Sequence, residues 1–245
     1  QNPRWPDWSQ LRIVPGGISA NDLQLNLDGR FTNHSQLDVT NQLVIHAAEG
    51  IDNFNASIQA GGNVTLTGKY LNNDQGSIGA GALLADIDGT ISNNRGRIVV
   101  QNDAYLYAGG NITASEGQFA SSAGKLVLDS GGDIDLQASK VSGLQGVGIN
   151  AEGNVTLGAK QSTQTQQSNQ NYTETQAYDN SASGSDIYES GTVVINSRQS
   201  SSTTNTTSVG TTVDSAEGSV AIVAGKQLGM TGGAITAGKD VVLAG

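Results

Sequence analysis

A repeat of about twenty residues constrains the fold of this chain more than any single motif. With the Gly-Asn and Gly-Asp turns in register, one apolar position recurs at steps of 20, 20, 20, 21, 22 and 21 residues. That row contains Phe31, Ile51, Leu71, Ile91, Ile112, Ile134 and Val155. A second row, with Ile58, Ile78 and Ile98, advances by 20. Short segments such as Leu23–Leu27 alternate apolar and polar residues, which indicates β-strands.

The length of the repeat selects one β architecture among several. A propeller blade needs about 40 residues or more, and a leucine-rich repeat has a Leu and Asn consensus with helical filler. Twenty residues suffice for one coil of a parallel β-helix, with three short strands and three turns. Each coil then stacks its apolar row on the same row of the next coil. We therefore predict an all-β β-solenoid, with Gly and Asn adopting positive φ at its corners.

Composition agrees with stacked strands and excludes several classes of function. The 245 residues include 33 Gly, only 4% aromatic residues and no Cys, so the core must consist of Val, Ile, Leu and Ala. With 12 Lys and Arg against 22 Asp and Glu, and no basic cluster, we expect no nucleic-acid partner. No apolar run is long enough for a membrane-spanning helix. The absence of Cys excludes a disulfide framework and thiolate metal sites, and is compatible with a reducing compartment or with export in an unfolded state.

The pattern divides the chain into four segments. We predict an N-terminal cap or junction at 1–20, a β-helix at 21–160, an excursion from the helix at 161–217, and a truncated return to the β-helix at 218–245. The first residues do not show a charged segment followed by an apolar run, which is the pattern of a signal peptide. We therefore interpret the chain as a mature or excised segment.

The excursion is rich in Ser, Thr, Asn and Gln, a composition that is compatible with disorder. Tyr172, Tyr178, Ile187 and Tyr188 recur on both sides of a Ser- and Gly-rich stretch, however, which favours a long polar β-hairpin leaving the helix. Residues 191–195 additionally have the pattern of one coil fragment.

Two repeat classes in this order resemble a known family. Ile51–Leu66, Leu71–Ile78 and Ile91–Ile98 are similar to the first repeat class of filamentous haemagglutinin. Gly210–Gly225 and Ala234–Val241, preceded by the polar excursion, are similar to the second repeat class of those proteins and of CdiA-type contact-dependent inhibition toxins. The resemblance extends from about residue 23 to residue 245, and only the N-terminal residues 1–17 fit neither class.

The resemblance implies a right-handed β-helical stalk in a large exoprotein of Gram-negative bacteria. Such a protein is exported through an outer-membrane transporter by two-partner secretion and is secreted or displayed on the cell surface, where it presents an adhesive or toxic element. The implied partners are that transporter, a receptor or glycan on a target cell, and the rest of the same chain. We expect the segment to be monomeric and to have no enzymatic activity. A pore-forming haemolysin remains an alternative within the family, with the polar excursion as its functional element.

Carboxylate pairs are the residues that an enzymatic alternative would need. Asp86 and Asp88, and also Asp133 and Asp135, lie two residues apart in strand-like segments, so each pair shares one face. A β-helical polysaccharide-acting enzyme can use such a pair as acid and base. The alternative interpretation is solvated Asp beside turns, and we favour it. We predict no catalytic residues, no cofactor and no metal site, since no calcium-loop pattern is present.

Histidines and glycosylation sequons also have structural interpretations. His34 and His46 are the only histidines, and their spacing fits neither a metal site nor a catalytic triad. Asn-x-Ser/Thr sequons are candidate glycosylation sites, but Asn at a corner followed by Thr in a strand is also what the repeat requires. They occur at Asn33, Asn55, Asn63, Asn111, Asn154, Asn171 and Asn205.

Tyrosines are the candidate surface contacts. Tyr70, Tyr105 and Tyr107 are suited to stacking on sugars if they line one face of the helix. Tyr172 and Tyr178 offer similar side chains in the polar excursion. An inward or packing role is the alternative for Tyr70, Tyr105 and Tyr107, and we favour it.

Overall fold

Every helix or strand element in the described part of the chain is a β-strand. The computed structural model describes residues 11–13, 16–180 and 189–245, in which 27 strands and no helix occur. The strands follow one another in sets of three. Nine coils therefore each contribute one strand to each of three faces, and the strands within a face are parallel. The predicted all-β solenoid with coils of about twenty residues is therefore confirmed.

Each face pairs a strand with the strand one coil further along, always in parallel. Face 1 contains β1 (Leu11–Ile13), β4 (Arg30–Asn33), β7 (Gly50–Asp52), β10 (Leu71–Asn72), β13 (Ile91–Ser92), β16 (Ile112–Ser115), β19 (Ile134–Gln137), β22 (Val155–Asn180) and β25 (Leu228–Met230). Face 2 contains β2 (Ile18–Ala20), β5 (Gln36–Val39), β8 (Ser57–Ala60), β11 (Ser77–Ala80), β14 (Arg97–Val100), β17 (Gln118–Ser121), β20 (Lys140–Gly143), β23 (Glu189–Ser215) and β26 (Gly233–Ala237). Face 3 contains β3 (Leu23–Leu27), β6 (Leu43–Ala47), β9 (Asn63–Gly68), β12 (Ala82–Ile87), β15 (Ala104–Ala108), β18 (Lys125–Ser130), β21 (Gly146–Ala151), β24 (Ser219–Ala224) and β27 (Val241–Ala244).

The core consists of apolar rows that run from coil to coil. Each member of the row from Phe31 to Val155 is paired in register with the next and is at most 1% exposed. On face 2, Ile58, Ile78 and Ile98 form the second predicted row and are fully buried. Because alternate strand residues point inward, one apolar residue in two suffices to fill the interior.

Four buried asparagines form a polar ladder beside these rows. Asn33 donates to Oδ1 of Asn53 at 2.8 Å, Asn53 donates to Asn73 at 2.7 Å, and Asn73 donates to Asn93 at 2.7 Å. All four are fully buried, and each also donates to a backbone carbonyl of the following coil. Ala114 follows in the next coil, so the ladder ends at Asn93. Since their amides satisfy one another, these polar groups are buried without loss of hydrogen bonds.

The corner between faces 1 and 2 follows the expectation that Gly and Asn supply positive φ in some coils and departs from it in others. Gly17 and Gly232 have φ of 68° and 70° there, whereas the corresponding left-handed residues of five central coils are Asn55, Gln75, Arg95, Glu116 and Ala138, with φ between 51° and 59°. The following residue is glycine in several coils for a steric reason. A Cβ at Gly76, for example, would overlap the backbone of Asn53 and the side chain of Asn73. Glycine here provides room for the asparagine ladder.

The polar excursion leaves and rejoins the β-helix at that same corner. The first residues of β22 pair with β19, and Thr211–Ser215 of β23 pair with β26. Residues 161–207 between them form a separate compact unit, in which Oγ1 of Thr173 and Oδ1 of Asn196 are 3.0 Å apart in a hydrogen bond. Buried Thr211 donates to the carbonyl of Gly158, which joins the two ends of the excursion within the helix.

Two details of the excursion differ from the sequence-based expectation. Residues 191–195 belong to β23 within the separate unit, and the exposed side chains of Val194 and Ile195 form no stacked coil. Residues 208–217, by contrast, belong to the β-helix unit, where Val213 is fully buried. The predicted roles of 1–10 and of Ile187 and Tyr188 lie outside the described residues. Within the described part of the chain, no helix has the length and apolarity of a membrane span.

Candidate functional site

Tyr105 and Tyr107 lie side by side on the outer surface of face 3. Both belong to β15, where Ala104, Leu106 and Ala108 point inward and are buried. The two rings are parallel within 3°, and their centroids are 6.4 Å apart. Tyr107 is 36% exposed, and Tyr105 is partly buried. The expectation that these tyrosines share a face therefore holds for this pair.

Neighbouring coils place apolar side chains beside Tyr105. Leu84 of β12 and Val127 of β18 occupy the same outward column, one coil on either side. Leu84 points outward and is 41% exposed, whereas the apolar residues at the inward positions are buried. The side chains of this column thus form an apolar strip that crosses neighbouring strands, which are about 4.8 Å apart.

Carboxylates flank Tyr107 in the adjacent column. Asp86 and Asp129 are its register partners in the coils on either side. Asp129 accepts a 2.8 Å hydrogen bond from the amide of Asn150 through Oδ1. We name the six residues Leu84, Asp86, Tyr105, Tyr107, Val127 and Asp129 the tyrosine face. It combines two aromatic rings, an apolar strip and two carboxylates on one exposed sheet surface.

Tyr70 does not belong to this surface. It lies at the corner between faces 3 and 1, where its ring covers Gly50 of the preceding coil. The guanidinium of Arg30 lies 5.5 Å from the ring centroid, in a cation–π contact. Burial raises the pKa of the Tyr70 hydroxyl, and the charge of Arg30 partly offsets that rise. Tyr70 therefore does not meet the condition of lining one face with Tyr105 and Tyr107, because it lies between two strands and packs at a corner.

Tyrosines of the excursion lie in the 161–207 unit. Tyr172 is 50% exposed on β22, and its hydroxyl donates to Oε1 of Gln170. Tyr178 is also in β22, but its side chain lies outside the described part of the structure.

Hydrogen bonds engage both carboxylates of the Asp133 and Asp135 pair. Asp133 accepts hydrogen bonds from the backbone and side-chain amides of Asn154, at 2.7 and 3.0 Å, and Asp135 accepts one from Gln137. Both acids line a shallow groove of about 370 Å³. Asp86 and Asp88 are exposed. Among the described residues, no three His, Cys, Asp or Glu side chains converge as metal ligands would.

The histidines and two of the sequons have evident structural positions. His34 and His46 are exposed, and Nδ1 of His46 is 2.8 Å from Oγ1 of Thr67 in the next coil. Asn33 is fully buried at the start of the asparagine ladder, which leaves its amide inaccessible to a glycosyltransferase. The corner position of Asn55, with φ of 52°, likewise has a structural reason.

Comparison with known proteins identifies the repeat. Residues 107–176 match the model of the hemagglutinin repeat. This segment therefore resembles a hemagglutinin repeat of the filamentous haemagglutinin and CdiA type. Over 129 residues, 53% of the chain, it is 34% identical to a tRNA nuclease CdiA of Burkholderia pseudomallei, of which it covers 10%. It is equally similar to tRNA nuclease CdiA-2 of strain 1026b, of which it covers 4%. The chain thus spans a tenth or less of these relatives, and no solved structure matches it.

The hemagglutinin-repeat region begins within the tyrosine face. It starts at Tyr107 on β15, continues through the two complete coils β16–β18 and β19–β21, and ends in the excursion at Gln176 on β22. Sequence reasoning found the tyrosines but missed Leu84, Val127 and Asp129. The period-two alternation combined with steps of 21 and 22 residues was the signal that could have placed them beside the tyrosines.

Proposed function

We propose that this chain is a stalk segment of a large secreted bacterial exoprotein, either an adhesin or a contact-dependent inhibition toxin. The unbroken register of inward rows through nine coils is the observation that carries this proposal, together with the hemagglutinin repeat. A β-helix whose coils all stack in this way is a spacer of fixed pitch.

The assignment to two-partner secretion rests on the similarity to CdiA and on the physical character of the coils. An outer-membrane transporter would pass the chain unfolded to the cell exterior. Each coil contacts only its neighbours, so folding outside the cell can proceed one coil at a time. The absence of Cys removes disulfides that would obstruct such passage.

The nuclease activity in the relatives' names belongs to those proteins. The matched 129 residues are a tenth or less of the length of those proteins. We propose that this segment holds such an effector, or an element that binds a receptor or glycan on a target cell, away from the producing cell. In this role the segment acts as a monomer, continuous with the rest of its own chain.

Deleting whole coils from the full-length exoprotein tests the stalk function. Removal of 71–90 takes out 20 residues and joins Tyr70 to Ile91, which occupies the register position of Leu71. We expect the shortened protein to be secreted and to keep its adhesive or inhibitory activity. Removal of 71–80, as a control of half a coil, breaks the register of every row and should abolish folding and display.

The two deletions distinguish a spacer from a functional site. Loss of activity in a 71–90 deletion that is folded and displayed would contradict the stalk function, because a spacer tolerates a change of one coil in length. Retained stability in the 71–80 deletion would contradict the stacking on which the proposal rests.

A further inference from the structure

The tyrosine face presents aromatic and acidic side chains outward at the centre of face 3. Tyr105 and Tyr107 contribute nothing to the interior, because the buried positions of β15 are Ala104, Leu106 and Ala108. Asp86 and Asp129 lie one coil on either side of Tyr107. Filling of the core thus accounts for none of these four outward side chains, although Asp129 also accepts a hydrogen bond from Asn150 of the next coil.

The separation of the rings suits one cation shared between them. A cation is attracted to an aromatic ring when it lies within about 6 Å of the centroid. The centroids of Tyr105 and Tyr107 are 6.4 Å apart, so a cation above their midpoint satisfies that limit for both rings. The carboxylates of Asp86 and Asp129 then lie beside the same cation and add Coulombic attraction.

The protein itself uses the same chemistry at Tyr70. There Arg30 supplies the cation, 5.5 Å from the ring centroid. Within the described ranges, no cation lies over Tyr105 or Tyr107, and the single ion pair joins Glu116 and Lys160 at another place in the fold. The tyrosine face therefore lacks the cation that Tyr70 has.

We propose that the tyrosine face binds a lysine- or arginine-bearing segment of a partner protein. A basic side chain has an aliphatic stem as well as a charge. The stem fits the apolar strip of Leu84 and Val127, while the charge meets the rings and the two carboxylates. A membrane surface is disfavoured because lipid phosphates would face Asp86 and Asp129 on a chain of net charge −10.

Binding of a basic peptide to the purified 245-residue chain tests this proposal. The probe is a fluorescein-labelled peptide of alternating Arg and Ser, and its neutral counterpart has Gln in place of Arg. Fluorescence anisotropy gives the Kd at low salt. We expect saturable binding of the Arg peptide and weaker binding of the Gln peptide.

Two double variants locate the site. Y105T/Y107T gives β15 the outward residues that β9 already has, Thr65 and Thr67. We expect a loss of about tenfold in affinity from this variant and a similar loss from D86N/D129N. Tyr107→Phe keeps the ring, so it should bind as the unmodified chain does.

Matched controls separate this site from general attraction to an acidic protein. D38N/D135N removes two charges from faces 2 and 1 and should change the affinity by about twofold or less. Equal losses from the two aspartate pairs, or no loss in a folded Y105T/Y107T, would overturn the proposal. Preferential binding of a neutral oligosaccharide or of phosphatidylcholine vesicles at the same residues would also overturn it.

Discussion

The ring of Tyr70 lies over Gly50, one coil away, and reaches Arg30 in the coil beyond. A Cβ at Gly50 would overlap the ring, and the φ of Gly50 is 122°, a value that side chains disfavour. The corner therefore requires glycine for two independent reasons, space and backbone conformation.

Gly50→Ala should destabilise the β-helix by about 1–3 kcal/mol, because it displaces Tyr70 and strains the backbone. Urea unfolding measures the change. In the Gly50→Ala/Tyr70→Ala double variant the steric part disappears, so the combined loss should be smaller than the sum of the two single losses. Gly148→Ala is the control, since a Cβ there meets Val127 at an ordinary contact distance of 3.7 Å. Strict additivity would contradict the contact between Gly50 and Tyr70.

Asn73→Ala should cost about 2–3 kcal/mol of unfolding free energy. The substitution removes the donor to Asn93 and the acceptor for Asn53, which leaves polar atoms buried without their ladder partners. Asn26→Ala, at an exposed outward position on face 3, should change the free energy by about 0.5 kcal/mol or less. Equal effects of the two substitutions in chemical denaturation would refute the stabilising role of the ladder.

Ile91→Asp should disrupt the interior row and lower the free energy of unfolding by about 3–5 kcal/mol or more. Ile91 is fully buried between Leu71 and Ile112, so an aspartate there places an unpaired polar group in the core. Thermal unfolding followed by circular dichroism measures the loss. An unchanged transition would mean that the rows do not carry the stability of the fold.

Glu116 gives the chain a pH-dependent contribution to stability. A hydrogen bond and the charge of Lys160 lower the pKa of Glu116, while its slight desolvation opposes them. A carboxyl with a lowered folded-state pKa stabilises above its unfolded pKa, about 4.3, and that contribution is lost as the pH falls through the folded value.

Glu116→Gln should therefore lower the melting temperature slightly at pH 7, and the difference from the unmodified chain should vanish at acidic pH. Both groups are well exposed, so the effect should also decrease as salt is added. A series of melting curves between neutral and acidic pH, at low and high salt, checks both trends. A difference that persists in acid would exclude the ion pair as its cause.

The sequence by itself determined the architecture. A step of 20 to 22 residues fixes the size of a coil, and alternating apolar residues fix which side of each strand is buried. Rows such as Phe31, Ile51 and Leu71 were predictable because they obey a translational rule that a linear sequence displays directly. The repeats also resembled those of filamentous haemagglutinin, but the segments that carry the resemblance, within 51–98 and 210–241, lie outside the matched residues 107–176.

Only the tertiary structure decided which side chains meet between coils. Contacts such as Tyr70 with Arg30, or the donation from Asn53 to Asn73, join residues 20 or 40 positions apart, and they depend on where each corner begins. Tyr70 lies three residues beyond Thr67, the register equivalent of Tyr107, so it projects from the corner after face 3 and is separated from Tyr105 and Tyr107. The periodic sequence defines the coil, whereas the exact register of each turn places the side chains that a partner would touch.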